Sequence, residues 1–189
     1  MTGVPGVGKT TVARSLAEAV GGRHVDVSEL AVKEGLVTGL DERRATVILD
    51  VERLRSRLNQ LMAEEKGALV LDGHAAPEAA PPAGFTLAFV LRRAPWRLKE
   101  ELSARGYPEE KVRENVEAEI LDVCLVDALM SLGPERVCEV DTTDRSPEET
   151  VEEMLAVIEG EKPCRHGIVD WLGHDESKEL LGGQGPCMS

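Results

Sequence analysis

Apolar positions recur along this chain with two periods. Val12, Leu16 and Val20 fall four residues apart, which predicts a helix over Thr10–Val20 with one apolar face and a stop at Gly21-Gly22. "RHVDV" predicts a short strand, and "SELAVKEG" a short helix capped by Ser28. Leu54, Leu58, Leu61 and Met62 place a longer helix over Asp50–Glu65. "ALVLD" and "TLAFVLR" are short, unbroken apolar runs of the kind that form strands buried on both faces, and "AAPEAAPPAG" between them predicts a loop. Pro95–Ala104 predicts a helix that Gly106 breaks. A long segment then runs from Pro108 to Leu132, with Ile120, Cys124, Ala128 and Leu132 on one face. "RVCEV" predicts a further strand, and Ser146-Pro147-Glu148-Glu149 a capping box opening a helix through Val151, Leu155 and Ile158.

Strands alternating with helices predict an α/β domain around a parallel sheet, over residues 1–172. From Gly173 onward the glycine-rich residues 173–189 carry no core pattern and predict a disordered tail. Only Met1 and Thr2 precede the first glycine-rich turn. The strand that ordinarily enters such a turn is central, so this chain is expected to lack it, leaving neighbouring backbone groups unpaired in a dry place. A true start several residues earlier would explain this; a compensated fold and a degenerate protein are the rivals.

Composition narrows the class. The 189 residues are 42% hydrophobic, enough for one proper core, and no apolar run has the length of a membrane span. Four cysteines, Cys124, Cys138, Cys164 and Cys187, stand without CxxC spacing, so reduced thiols and a cytoplasmic location are expected. Cys164, His166, His174 and Cys187 have poor spacing for a zinc site. A net charge of −13 argues against a bare nucleic-acid surface; it fits a solvated acidic exterior or a basic protein partner. Two Asn and two Gln beside 25 Glu hint at a hot or salty cytoplasm.

The chemistry begins at "GVPGVGKT", residues 3–10, which satisfies G-x-x-x-x-G-K-[ST] at every fixed position. Glycines let the backbone close around a phosphate chain, and the following helix turns its positive end toward the same phosphates. Lys9 is expected on the β- and γ-phosphates and the Thr10 hydroxyl on Mg²⁺. A glycine-rich turn before a helix is the plainer alternative. Asp72, directly after an apolar strand, can hold the water shell of Mg²⁺, or be an ordinary turn aspartate. His74 follows two residues later at the carboxyl edge of the sheet, as a participant or as a loop residue. Arg105 stands at a glycine break near Lys111 and Arg113. These cations could close over phosphates as a flap, or pair on the helix surface with Glu109, Glu110 and Glu114. No NKxD guanine signature occurs.

"GVPGVGKTT", "VDVSELA", "LDER…VILD", "LDGH", "VLR" and "RGYPEEKVRENVEAEI" stand in order at spacings that resemble the coilin-interacting nuclear ATPase family of adenylate kinases. Its archaeal members are small-subunit ribosome-maturation ATPases. The resemblance runs from Gly3 to about Trp171 and implies a P-loop fold of the nucleoside monophosphate kinase type, a three-layer sandwich with strand order 2-3-1-4-5. It implies transfer of the γ-phosphoryl of ATP to AMP, with Mg²⁺, together with a slow ATPase used in ribosome maturation. By position, Gly6, Gly8, Lys9, Thr10 and Thr11 would bind the ATP phosphates, and Thr10 and Asp72 the metal. Arg105 would sit in a lid over residues 105–114, and residues 26–49 would form the monophosphate-binding segment. His74 matches a family histidine linked to ATPase function, and Arg145 falls where a basic residue approaches the adenine. The implied partner is a basic protein of the small ribosomal subunit; no membrane or direct nucleic-acid contact is implied. Ordinary adenylate kinases carry D-G-[FY]-P-R, whereas here His74 follows Gly73, which weakens the expectation for AMP relative to ATP. An ATP-driven assembly switch without AMP kinase activity, and a small-metabolite kinase of the shikimate or gluconate type, are the alternatives.

Overall fold

A computed structural model describes residues 1–41, 46–80, 84 and 86–182. The helical periods resolve into α1 (Lys9–Ala19), α3 (Val51–Glu64), α5 (Pro95–Ala104) and α8 (Pro147–Ile158), close to their predicted bounds. The apolar runs become β1 (Arg23–Asp26), β4 (Leu69–Asp72), β5 (Ala88–Arg92) and β6 (Val137–Asp141). Between them lie α2 (Val27–Lys33), the strands β2 (Val37–Asp41) and β3 (Thr46–Leu49), a single turn α4 (Ala76–Ala79), α6 (Glu109–Ile120), α7 (Val123–Leu132) and α9 (Asp175–Leu180).

β1 runs parallel to β4, from Arg23 opposite Leu69 to Asp26 opposite Asp72. β5 runs parallel to β6, from Ala88 opposite Val137 to Arg92 opposite Asp141. Met1 and Thr2 join the two pairs. The Met1 amine donates to Leu71 O at 2.6 Å, and the Gly73 amide to Met1 O at 3.2 Å. On the other side the Thr2 amide donates to Phe89 O and Leu91 N–H to Thr2 O, both at 2.9 Å, in a parallel bridge to Val90. The order is therefore β1, β4, Met1–Thr2, β5, β6. This is the expected 2-3-1-4-5, with two residues holding the central position at its carboxyl end.

Every residue of β5 is buried, as a strand covered on both faces requires. α1 packs with α8, while α3, α4 and α7 form a second row. Leu98, Leu102, Ile120, Ala128 and Met154 are fully enclosed between sheet and helices.

Four local expectations change. The cap of α2 is Asp26, whose carboxylate accepts from the Ser28 and Glu29 amides; Ser28 is a donor there. The segment predicted as a loop between β4 and β5 contains α4. The long run from Pro108 divides at Asp122, which takes φ 56° and separates α6 from α7. Its side chain pairs with Arg92. Finally, α9 lies beyond Gly173, with Ser177 fully buried; the rest of the predicted tail, residues 183–189, lies outside the described residues.

Arg92 explains much of the carboxyl-side architecture. It is 1% exposed, and its Nε lies 2.8 Å from Glu119 Oε1, with Glu139 and Asp122 on its other nitrogens. Glu119 also accepts from the Arg93 amide at 3.1 Å and the Trp171 indole at 3.0 Å. Burial pushes the Glu119 carboxyl up, while Arg92 and these two donors oppose the shift. Glu139 in turn accepts from the Ile168 amide at 2.8 Å, and its own amide donates to Arg165 O at 2.7 Å. The expectation of reduced thiols is corrected at one pair: Cys138 of β6 and Cys164 form a disulfide, whereas Cys124 is free and buried. The chain after α8 is thus fastened to β6 and α6 by a covalent bond and buried polar contacts. α8 itself opens with the predicted capping box, Ser146 and Glu149 each bonding the other's backbone amide.

Candidate active site

Met1–Thr2 feeds a loop whose backbone only glycine adopts with ease. Gly3, Gly6 and Gly8 have φ of 142°, 100° and 89°. A Cβ at Gly3 would stand 2.6 Å from Leu91 O, so glycine there permits the close approach to β5. At Gly8 a Cβ would meet nothing within 4 Å: the loop opens onto free space directly before α1. Gly8 caps α1 without a side-chain hydrogen bond, and the first bond of the helix runs from Val12 N–H to Gly8 O. The amides of Lys9, Thr10 and Thr11 therefore stand as orphan donors at the positive end of an eleven-residue helix. The loop and the start of α1 bring Gly6, Gly8, Lys9, Thr10 and Thr11 together.

The Lys9 ammonium donates to Val4 O at 2.9 Å. Burial holds its pKa below the usual value, against the upward pull of Cys124, Asp72, Asp26 and Glu119. A polyanion beside it would favour the charged form. Asp72 is one of the carboxylates that act on it. Its side chain is 1% exposed; Oδ1 lies 3.0 Å from His24 Nε2, and Oδ2 has no hydrogen-bond partner among the described residues. A buried carboxylate oxygen left open beside a lysine and a threonine-bearing helix start fits the water shell of a divalent cation carried by a triphosphate. Thr10 and Asp72 are the residues that would hold it.

The remaining predicted residues are spread wider. His74 is exposed just past the sheet edge, with Nδ1 3.6 Å from Cys124 Sγ, and its carbonyl faces the Thr2 hydroxyl at 3.5 Å. Burial pushes the Cys124 thiol up to about 12, so His74 borders a neutral thiol. Arg145 pairs with Glu153 of α8, in the turn whose Thr142 hydroxyl lies 3.4 Å from Val7 O. It thus stands beside the loop but occupied. Arg105 is not brought to the loop. It is 56% exposed, 4.0 Å from Glu101. In the segment 26–49 the structure places the antiparallel hairpin β2–β3, with Leu40 and Ile48 exposed; its tip, residues 42–45, lies outside the described residues. Cys164, bonded to Cys138, is no free zinc ligand, and His174 stacks with Trp96 and Trp171.

Sequence reading missed His24, Thr142 and Arg93. His24 meets Asp72 only because β1 and β4 pair in one register, across 48 positions that no local spacing reveals. Arg93 reaches Thr142 O and Glu101, bracing the end of β5 beside the loop.

The AAA domain family matches residues 1–122. The protein named "Putative adenylate kinase" of Pyrococcus furiosus is 44% identical over 174 residues, covering 90% of this chain and 89% of the relative. Those of the same name in Thermococcus onnurineus and Methanocaldococcus jannaschii are 42% and 40% identical, again over 90% of this chain and 89% and 90% of theirs. Among solved structures, a gluconokinase from Sinorhizobium meliloti superposes with a TM-score of 0.53 at 21% identity. It covers 84% of this chain and 89% of that one. A shikimate kinase from Bacteroides thetaiotaomicron does so with a TM-score of 0.52 at 15% identity, over 84% and 95%. At those identities the two kinases share the fold alone. The glycine arch, its lysine and the carboxylate at the end of β4 thus stand in a P-loop kinase fold, and the chain belongs to the AAA domain family together with these archaeal relatives.

Proposed function

We propose that the chain transfers the γ-phosphoryl group of ATP to AMP. The observation that carries this reading is the combination of the open arch at Gly8 with an Asp72 Oδ2 that has no partner among the described residues, in a chain so similar to proteins named for adenylate kinase. The Lys9–Thr11 amides and the Lys9 ammonium hold the phosphates in line and take up charge as the bond breaks. Thr10 and Asp72 would hold Mg²⁺ through its water shell, and the ion would neutralise charge on the phosphate oxygens when bound. AMP offers an ionised phosphate, so no general base is needed, and residues 26–49 would position it. Arg105 would swing from Glu101 over the phosphates as the lid over residues 105–114 closes. Arg145 would release Glu153 to reach the adenine.

A slow ATP hydrolysis in which His74 orients water belongs to the same reading. So does a part in maturing the small ribosomal subunit: a surface of net charge −13 suits a basic ribosomal protein. A cytoplasmic place is compatible with the Cys138–Cys164 bridge, because intracellular proteins of hyperthermophiles carry disulfides. The rival is an ATP-driven assembly switch indifferent to AMP, favoured by His74 where ordinary adenylate kinases have an aromatic residue. Counting ADP formed per ATP consumed, with and without AMP, separates them. The kinase yields two ADP per ATP only when AMP is present; ATP loss insensitive to AMP supports the switch.

A further inference from the structure

Asp72 ends β4 with its side chain 1% exposed and its two oxygens in different surroundings. Oδ1 lies 3.0 Å from Nε2 of His24, whereas Oδ2 has no partner among the described residues. Glu139, a buried carboxylate of the framework, shows the ordinary arrangement. Arg92 meets one of its oxygens, and the Ile168 amide meets the other at 2.8 Å. A buried oxygen left bare costs about 1–3 kcal/mol. A contact that served only to join β1 to β4 would be expected to satisfy both oxygens of Asp72 as well.

The sheet builds the contact. β1 and β4 are parallel, with His24 opposite Val70 and Asp26 opposite Asp72, so these four side chains leave one face. Asp26 is the direct neighbour of Asp72, but its carboxylate is committed to the Ser28 and Glu29 amides at the start of α2. His24, two positions earlier, reaches forward to Oδ1. An ionised carboxylate only accepts, so Nε2 carries the proton. The charge of Asp72 also acts on the Lys9 ammonium. The carboxyl torsion of an aspartate is broad, so an untethered Asp72 is free to turn onto Lys9 as a direct ion pair. Both groups would then be lost to the phosphates and their cation.

We propose that His24 is a positioning residue for phosphoryl transfer: by holding Oδ1 it fixes the plane of the Asp72 carboxylate, so that Oδ2 alone is presented to the water shell of the cation. The inference rests on the kinase reading of this site. His24 touches neither nucleotide nor reacting group. It acts only through Asp72, as outer groups behind a metal-binding carboxylate do. Its side chain is 16% exposed, which leaves the ring little room to swing away from Oδ1.

The test uses the full chain and two variants. His24→Leu removes the donor, and His24→Gln keeps an amide N–H near the place of Nε2. Should His24→Leu fail to fold, His24→Asn, polar but too short to reach Oδ1, takes its place. Each chain is saturated with a non-hydrolysable ATP analogue, and Mn²⁺ is titrated in as the probe, its binding read by electron paramagnetic resonance. His24→Leu should bind Mn²⁺ at least ~10-fold more weakly, and His24→Gln should recover to within ~3-fold of the parent chain. Affinity for the analogue without metal should be the same in all three. In the coupled assay His24→Leu should lower kcat about tenfold with the KM for AMP unchanged. Equal Mn²⁺ affinity in His24→Leu and the parent chain overturns the proposal. So does a His24→Gln chain as weak as His24→Leu, which would make ring packing the cause, and so does a matching loss of metal-free binding, which would mean a disturbed arch. A parent chain that binds neither analogue nor Mn²⁺ sinks the kinase reading too, whereas the other failures sink the role of His24 alone.

Discussion

The two ends of the central sheet are built in opposite ways. At the carboxyl end the strands run into a crowded set of fixed polar groups. Met1 and Thr2 complete the ladder, Arg92 binds three carboxylates, and Asp72 is held by His24 beneath the glycine arch. At the amino end, between the same strands, there is a cavity lined mainly by apolar side chains. At the glycine arch the fold invests in charge and close backbone approach. Activity and stability should therefore respond to different substitutions.

Lys9→Met is the sharpest way to break the carboxyl end. It should lower kcat by at least ~10³ in a coupled ADP assay, the loss of a cation aimed at the transferring group. Tm should hold or rise, because a buried ammonium kept below its usual pKa is removed. Arg92→Leu attacks the framework behind the site. It leaves Glu119 and Glu139 buried without their cation, and chemical unfolding should show a loss of about 3–5 kcal/mol. A loss below 1 kcal/mol would mean that the carboxylates are rescued by water and that the two ends are less different than described.

The boundary between the two ends is read through the Met1 amine. Burial, partly offset by Asp72 and reinforced by Lys9, lowers its pKa from 8.0 to about 6. The unfolded chain therefore holds more protons between those values, and stability should rise as pH increases from 6 to 8. This one group contributes about 2–3 kcal/mol. Acetylating the amine should remove that slope, and urea unfolding at several pH values measures it. A slope untouched by acetylation would place the amine in solvent. The smallest effect is expected at the rim: His74→Ala should reduce ATP hydrolysis about tenfold without moving Tm, and unchanged hydrolysis removes His74 from the account.

Much of the fold was legible in the chain because its signals are local. The phosphate loop, the periods of α1, α3 and α5 and the capping box of α8 each lie within a dozen residues. What the sequence hid depends on contacts across long separations. Asp122 breaks the run after Pro108 because Arg92, thirty positions earlier, draws its side chain inward. Nothing in the local pattern marks Arg92 as buried, or Cys164 as the partner of Cys138, or His24 as the neighbour of Asp72. The hairpin β2–β3 was likewise concealed, since its half-exposed strands lack the strong apolar run of β4 or β5. Of the candidate site, the glycine arch and Lys9 were readable from one motif. The resting places of Arg105 on Glu101 and of Arg145 on Glu153 were not, because they depend on side-chain pairing that no local pattern marks.

The central claim is that the arch from Gly3 to Thr10 grips a metal-bound triphosphate, and calorimetric titration of the folded chain with Mg–ATP tests it most directly. The account predicts one site with a Kd below ~100 µM, weakened at least tenfold when Mg²⁺ is withheld and lost in Lys9→Met. No heat from a well-folded sample, or equal heat from the Lys9→Met chain, would contradict it.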